Sequence, residues 1–177
     1  MAQNLLSVVY LPMLTTAANA HGLDPWLVEA VAWIESRGQA DCFNYEPRYW
    51  ERYHLAVHPE YRDQPPRRVS SRYGLLQLLY PTAKDLGYQG EPEGLFLPKT
   101  NLLYGCQRLK YLTDWAGRYH ASRDQQRLSL LSAYRTGTGG NQPGGQLVPD
   151  GARYAERVLA AYRTITEAEP LVTREPG

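Results

Sequence analysis

The sequence predicts a single, mainly α-helical domain, and three observations carry that reading. The chain has 177 residues and a mass of 20.1 kDa, which suits one compact unit with a sizeable core. Apolar residues make up 43% and charged residues 21%, a globular balance rather than a disordered or fibrous one. Apolar positions recur at helical spacing between proline and glycine stops, and sustained two-residue alternation is missing.

The elements follow in order. Tyr10 to Ala20 reads as a first helix, stopped by Gly22 at the place glycine favours after a helix end. In "GLDPW", Asp24 is a helix N-cap and Pro25 takes the first helical position, so a second helix runs to about Arg37, where Gly38 ends it. Residues 39–73 are rich in aromatics, charges and prolines without sustained periodicity. They read as an irregular or β excursion, with one short helix or a small hairpin, lining a cleft. Pro81 then opens a short helix that Gly87 closes, and a loop leads to a long helix from Thr100 to Tyr119. Leu102, Leu109, Leu112 and Trp115 give that helix its apolar positions. Arg123 to Tyr134 forms another helix, and the glycine-dense "RTGTGGNQPGG" is a loop. A last helix runs from Gly151 to Thr166. The domain therefore spans 1–166, with 39–73 as an insertion and 167–177 as a tail.

Charge and composition exclude some partners. A net charge of +1 with no basic stripe gives no argument for nucleic acid, and no run approaches the length of a membrane span. Phe is scarce (2) against Tyr (14) and Trp (4), rings that suit either a partly wet cleft or the edge of a core. Cys42 and Cys106 lack metal-ligand spacing and are either buried thiols or one bridge. No cofactor or metal is expected. The opening "MAQNLLSVVYLPMLTTAANAHG" ends on a signal-like "ANA", but no Lys or Arg precedes it and Pro12 interrupts the apolar run. We read it as the first helix, with no export signal of its own.

Glu35 ends the apolar run in "VAWIESRGQ". The residues three, four and seven places before it, Ala32, Val31 and Val28, share its side of the helix, and all are apolar. The acid thus lies on the core-facing stripe, opposite the polar side that carries Glu29. Apolar surroundings disfavour the ionised form and raise the pKa, as a general acid requires. The bland alternative is a last-turn glutamate that bends out to water.

Five blocks then carry a family resemblance. "GLLQLLYPTA", from Gly74, resembles the Gly-Leu-Met-Gln signature of the lytic transglycosylases, enzymes with a goose-type lysozyme fold that cleave peptidoglycan. "GLDPWLVEAVAWIESRG" resembles the helix bearing that family's catalytic glutamate. "NLLYGCQRLKYL", "SAYRTG" and "YAERVLAAY" are similar to three further blocks, in the family's order, so that the match covers roughly residues 12–162. The resemblance implies a lysozyme-like fold with Glu35 as the sole acid/base, acting on glycan strands at the bond between N-acetylmuramic acid and N-acetylglucosamine. It implies a 1,6-anhydro product, because the muramic acid 6-hydroxyl closes the ring and no water enters. It also implies Gln77 as a sugar contact, Tyr134 and Tyr154 near the glutamate, and Ser71 and Tyr73 along the cleft.

The chain departs from the family at three places. Glu35 and Gly74 are 39 positions apart, a longer link than usual, resembling phage-encoded members. Pro81 sits one place late. Arg135 replaces the usual asparagine, and an arginine there could reach a muramyl carboxylate or a peptide acid. Glu46, in the excursion, is either a second carboxylate that would make the enzyme an inverting muramidase or the ion-pair partner of Arg48 or Arg52. From another class, the chain could be a catalytically silent glycan-binding or virion protein. The expected setting is the bacterial wall, in the periplasm, reached with a virion or at lysis.

Overall fold

The computed structural model describes residues 9–51, 59–140 and 147–168. The expectations for the first eight residues, Arg52, the middle of the glycine-dense loop and the tail beyond 168 lie outside the described residues.

The fold is mainly helical, as expected. Helices α1 (Leu11–Ala20) and α2 (Pro25–Ser36) precede strand β1 (Phe43–Tyr45) and two short turns of helix, α3 (Pro47–Tyr49) and α4 (Pro66–Val69). Strands β2 (Ser71–Tyr73) and β3 (Leu78–Leu79) follow, then α5 (Tyr80–Asp85), α6 (Pro98–Gly117), α7 (Arg123–Thr136) and α8 (Pro149–Ala168). Tight turns at Pro59–Tyr61, Pro92–Phe96 and Thr138–Gly140 complete the chain. The helix bounds fall within two residues of those read from the sequence, because helix stops and starts are local signals.

Asp24 shows how local signals acquire tertiary weight. Its Oδ1 accepts from the Trp26 N–H at 3.0 Å, capping α2. Its Oδ2 accepts from the Tyr162 hydroxyl of α8 at 2.7 Å and from Arg127 of α7 at 3.3 Å. One carboxylate therefore starts α2 and ties it to two other helices.

Helix α2 is the centre of the larger of two cores, packed against α1 and α8. Every residue from Leu27 to Ala32 is buried. Glu29 is 0% exposed, which corrects its expected place on a polar face. A helix enclosed on all sides has no wet face, so the helical-wheel argument assigned Glu29 wrongly. Cys106 lies in this core, where burial pushes its thiol up to about 12, and Cys42 is half-buried. Both are free thiols, not a bridge.

The second core is smaller and aromatic, built on Tyr61, Tyr73, Tyr80 and Tyr88 with Phe43 and Phe96 packed against it. Tyr73 meets Phe43 and Phe96 edge-on at centroid distances of 5.2 and 5.0 Å, the geometry ring quadrupoles favour. Over this core lies a three-stranded antiparallel sheet in the order β1-β2-β3. Phe43 pairs with Tyr73, Asn44 with Arg72 and Tyr45 with Ser71, while Arg72 pairs with Leu79. The excursion is thus two strands joined by a long connection, and its third strand comes from the Gly74 block.

Candidate active site

A cleft runs between the helical core and the sheet, in two lobes that share Arg72, Gln77 and Arg135. One lobe, of about 480 Å³, contains Glu35, Glu46, Asn44 and Tyr154. The other, of about 570 Å³, is bounded by Tyr49, Arg108, Tyr134 and the turn after α7.

Glu35 stands in the last turn of α2. Its side chain is half-buried overall, but Oε1 is closed off from solvent and has no hydrogen-bond partner among the described residues. Burial raises the pKa of this carboxyl above its ordinary value, and the Glu46 charge adds a smaller upward push. Arg72 opposes them most strongly, followed by the Tyr154 hydroxyl and Arg135. The carboxyl end of the helix dipole acts in the same sense as burial, since it disfavours a negative charge there. Ser36 holds the turn: its hydroxyl donates to the Ala32 carbonyl at 3.0 Å and accepts from the Gly38 N–H at 3.2 Å.

Tyr154 and Tyr134 stack nearly parallel, with centroids 6.4 Å apart. The Tyr134 hydroxyl donates to the Leu76 carbonyl at 2.6 Å, so it braces the neighbouring turn. Among the described residues the buried Tyr154 hydroxyl has no partner of full hydrogen-bond geometry, yet it lies near enough to Glu35 to lower that carboxyl's pKa as a donor. Burial, with Glu35 beside it, keeps the Tyr154 phenol protonated by raising its pKa well above the ordinary value.

The turn from Gly74 to Gln77 is built by three of the sequence blocks acting together. Gly74 has φ +72°, and a side chain there would place its Cβ 2.5 Å from Asn101 Nδ2 and 2.6 Å from the Leu95 carbonyl. Asn101 accepts from the Leu76 N–H at 2.8 Å and donates to the carbonyls of Tyr73 (2.7 Å) and Leu95 (2.9 Å). Gly105 lets Leu76 lie directly on α6, where any Cβ would collide with its side chain. Gln77 completes the turn at φ +45°, an unusual conformation for a residue with a side chain.

That geometry changes what Gln77 can do. It lines both lobes, but its amide N–H groups donate to the carbonyls of Cys42 (2.9 Å) and Gly74 (3.0 Å). Its carbonyl accepts from Asn44 at 2.6 Å. Only 2% exposed, it welds β1 to the turn rather than offering an open amide to a sugar.

Two expected cleft residues are not there. Ser71 is buried with its hydroxyl on the Arg67 carbonyl, and Tyr73 is buried in the aromatic core with its hydroxyl on the Arg68 carbonyl at 2.5 Å. Successive residues of a strand face opposite ways. The residue between them, Arg72, therefore turns to the cleft, and the sequence reading missed it. Period-two alternation in "SRY" was the signal.

Arg72 also settles the partner of Glu46. Its Nε donates to Glu46 Oε1 at 2.6 Å, with both side chains mostly enclosed. The expected loop partner Arg48 does not take that place. Arg135, in the last turn of α7, is exposed at the rim and meets Asp150 at 3.3 Å. Taken together, the lobes present five arginines (72, 108, 135, 153 and 157) and three carboxylates (Glu35, Glu46 and Asp150). A nearly neutral chain therefore concentrates positive charge at its cleft.

An acid of raised pKa set between a helical lobe and a small sheet is the arrangement of a lysozyme-like enzyme. The model of the transglycosylase SLT domain family matches residues 12–163, and the chain belongs to that family. It is a peptidoglycan lytic transglycosylase by that membership. No curated protein matches it.

Proposed function

We infer that the enzyme cleaves the β-1,4 bond between N-acetylmuramic acid and N-acetylglucosamine and leaves a 1,6-anhydromuramyl end, with Glu35 as sole acid and base. The observation that supports this reading best is the state of the two carboxylates in one lobe. Glu35 has an enclosed oxygen with no partner, whereas Glu46 is tied to Arg72 at 2.6 Å. Glu35, protonated, donates to the glycosidic oxygen as the bond breaks. The substrate's acetamido group eases the charge at the anomeric carbon. Glu35, now ionised, accepts the proton of the muramic acid 6-hydroxyl, whose oxygen bonds to that carbon. Arg72 and Tyr154 favour the ionised state, so opposing influences suit one carboxyl to both steps. Arg135 contributes rim charge toward the substrate's acid groups. The setting we propose is the periplasmic wall, reached with a phage particle or at lysis.

Paired substitutions test the assignment. Arg72→Met removes the largest downward influence on Glu35, so the alkaline limb of the pH–activity profile moves to higher pH. Glu46→Gln removes an upward influence and moves that limb to lower pH, while activity at its optimum stays within about fivefold of wild type. A loss of about 100-fold or more in Glu46→Gln would instead make Glu46 a second catalytic carboxylate and the enzyme an inverting muramidase.

A further inference from the structure

The larger lobe carries a charge imbalance that cleavage at Glu35 does not use. Among the described residues its walls include three arginines, Arg72, Arg108 and Arg135, and no carboxylate. Arg72 is neutralised by Glu46 and Arg135 touches Asp150. Arg108, from α6, has no such partner: among the described residues no carboxylate lies within ion-pair distance of it. Its guanidinium rests over the ring of Tyr111, 5.4 Å from the centroid, a contact that leaves its charge in place. Tyr134 lines the same lobe, but its hydroxyl is spent on the Leu76 carbonyl.

A partly enclosed guanidinium without a counter-ion is costly, because its lost hydration is not replaced. Burial lowers the Arg108 pKa, opposed by Tyr134, Tyr111 and the Asp85 carboxylate beyond ion-pair distance and helped slightly by Arg72, yet an arginine stays charged at any physiological pH. An anion entering the lobe would restore the lost interactions. The planar fork of donors matches a carboxylate, and the lobe adjoins the Glu35 lobe, with Arg72, Gln77 and Arg135 lining both.

We propose that Arg108 heads an anion subsite in the larger lobe that holds a carboxylate carried by the muramyl side chain of the glycan strand. The proposal rests on the reading of the cleft as a glycan site. Two sources supply the chemistry: the stem peptide, or the lactyl group once its peptide has been removed.

Calorimetric titration separates them, with turnover blocked by Glu35→Gln in both the parent and an Arg108→Met version. The probes are soluble strand fragments with intact stems, the same fragments with carboxyls converted to amides, amidase-stripped fragments, and a neutral N-acetylglucosamine tetramer. Arg108→Met weakens binding of the fragments that carry the recognised carboxylate, intact or stripped, about tenfold at low salt and less at high salt. It leaves the amidated fragments and the neutral tetramer unchanged. Weakening confined to intact fragments assigns the ion to the stem; weakening confined to stripped fragments assigns it to the lactyl group. Arg108→Met also melts at or above the parent's temperature, which a structural role would not allow. If it binds both intact and stripped fragments as the parent does, or loses the neutral tetramer equally, the subsite is overturned. Absence of all binding by the parent, tetramer included, overturns the glycan reading and the subsite with it.

Discussion

Glu35→Gln loses activity on peptidoglycan by about 10²- to 10⁴-fold, the range expected when a general acid is removed. Glutamine keeps the size and the planar shape of the side chain, so the stacked tyrosines and the Ser36 turn stay in place. What it lacks is a proton to donate to the glycosidic oxygen. The variant folds at least as well as wild type, and the sign is fixed by the raised pKa of Glu35. In the unfolded chain the carboxyl ionises near its ordinary value of about 4.3. In the fold it ionises only at higher pH, so wild type loses stability relative to the glutamine variant as pH rises from the unfolded value through the folded one. Melting curves at pH 4 then coincide within a degree or so, and at pH 8 the variant melts higher. A simultaneous loss of activity and stability at pH 8 would mean that Glu35 is structural.

Asn101→Ala is the largest expected loss of stability, about 3 kcal/mol or more in urea unfolding. The side chain is 0% exposed, and its three hydrogen bonds tie α6 to the Leu76 N–H and to the carbonyls of Tyr73 and Leu95. Removing it leaves those three backbone groups unsatisfied in a dry interior. Asn101→Asp is the sharper control. It keeps the acceptor for Leu76 but turns an oxygen toward two carbonyls, so it costs a comparable amount despite its shape. Because Asn101 fixes the Gly74–Gln77 turn, Asn101→Ala also loosens the cleft wall between the lobes. A midpoint shift equivalent to less than about 1 kcal/mol would contradict this account of the turn.

The helices were legible where their ends are written in single residues, as with the Asp24 cap and Pro25 at the start of α2; α6 and α8 begin two residues earlier than read, at Pro98 and Pro149, prolines the reading passed over. The sheet was not. Its strands have two or three residues, too short for alternation to stand out, and β3 lies where the sequence reads as the approach to a helix. The same brevity hid Arg72 and put Ser71 and Tyr73 on the wrong face. Glu35 was legible through its apolar neighbours, but the argument that found it misplaced Glu29, since α2 is enclosed all round. Gln77 was recognised from its block, yet its role depends on three carbonyl and amide partners that no spacing reveals. Net charge concealed the arginines of the cleft, because a sum over the chain carries no position.

The central claim is that bond cleavage at Glu35 ends inside the substrate rather than with water. Digestion of purified peptidoglycan in ¹⁸O-labelled water, followed by mass spectrometry of the released muropeptides, tests it most directly. The account predicts 1,6-anhydromuramyl ends that contain no solvent oxygen. Reducing muramyl ends carrying one labelled oxygen per cleavage would contradict it.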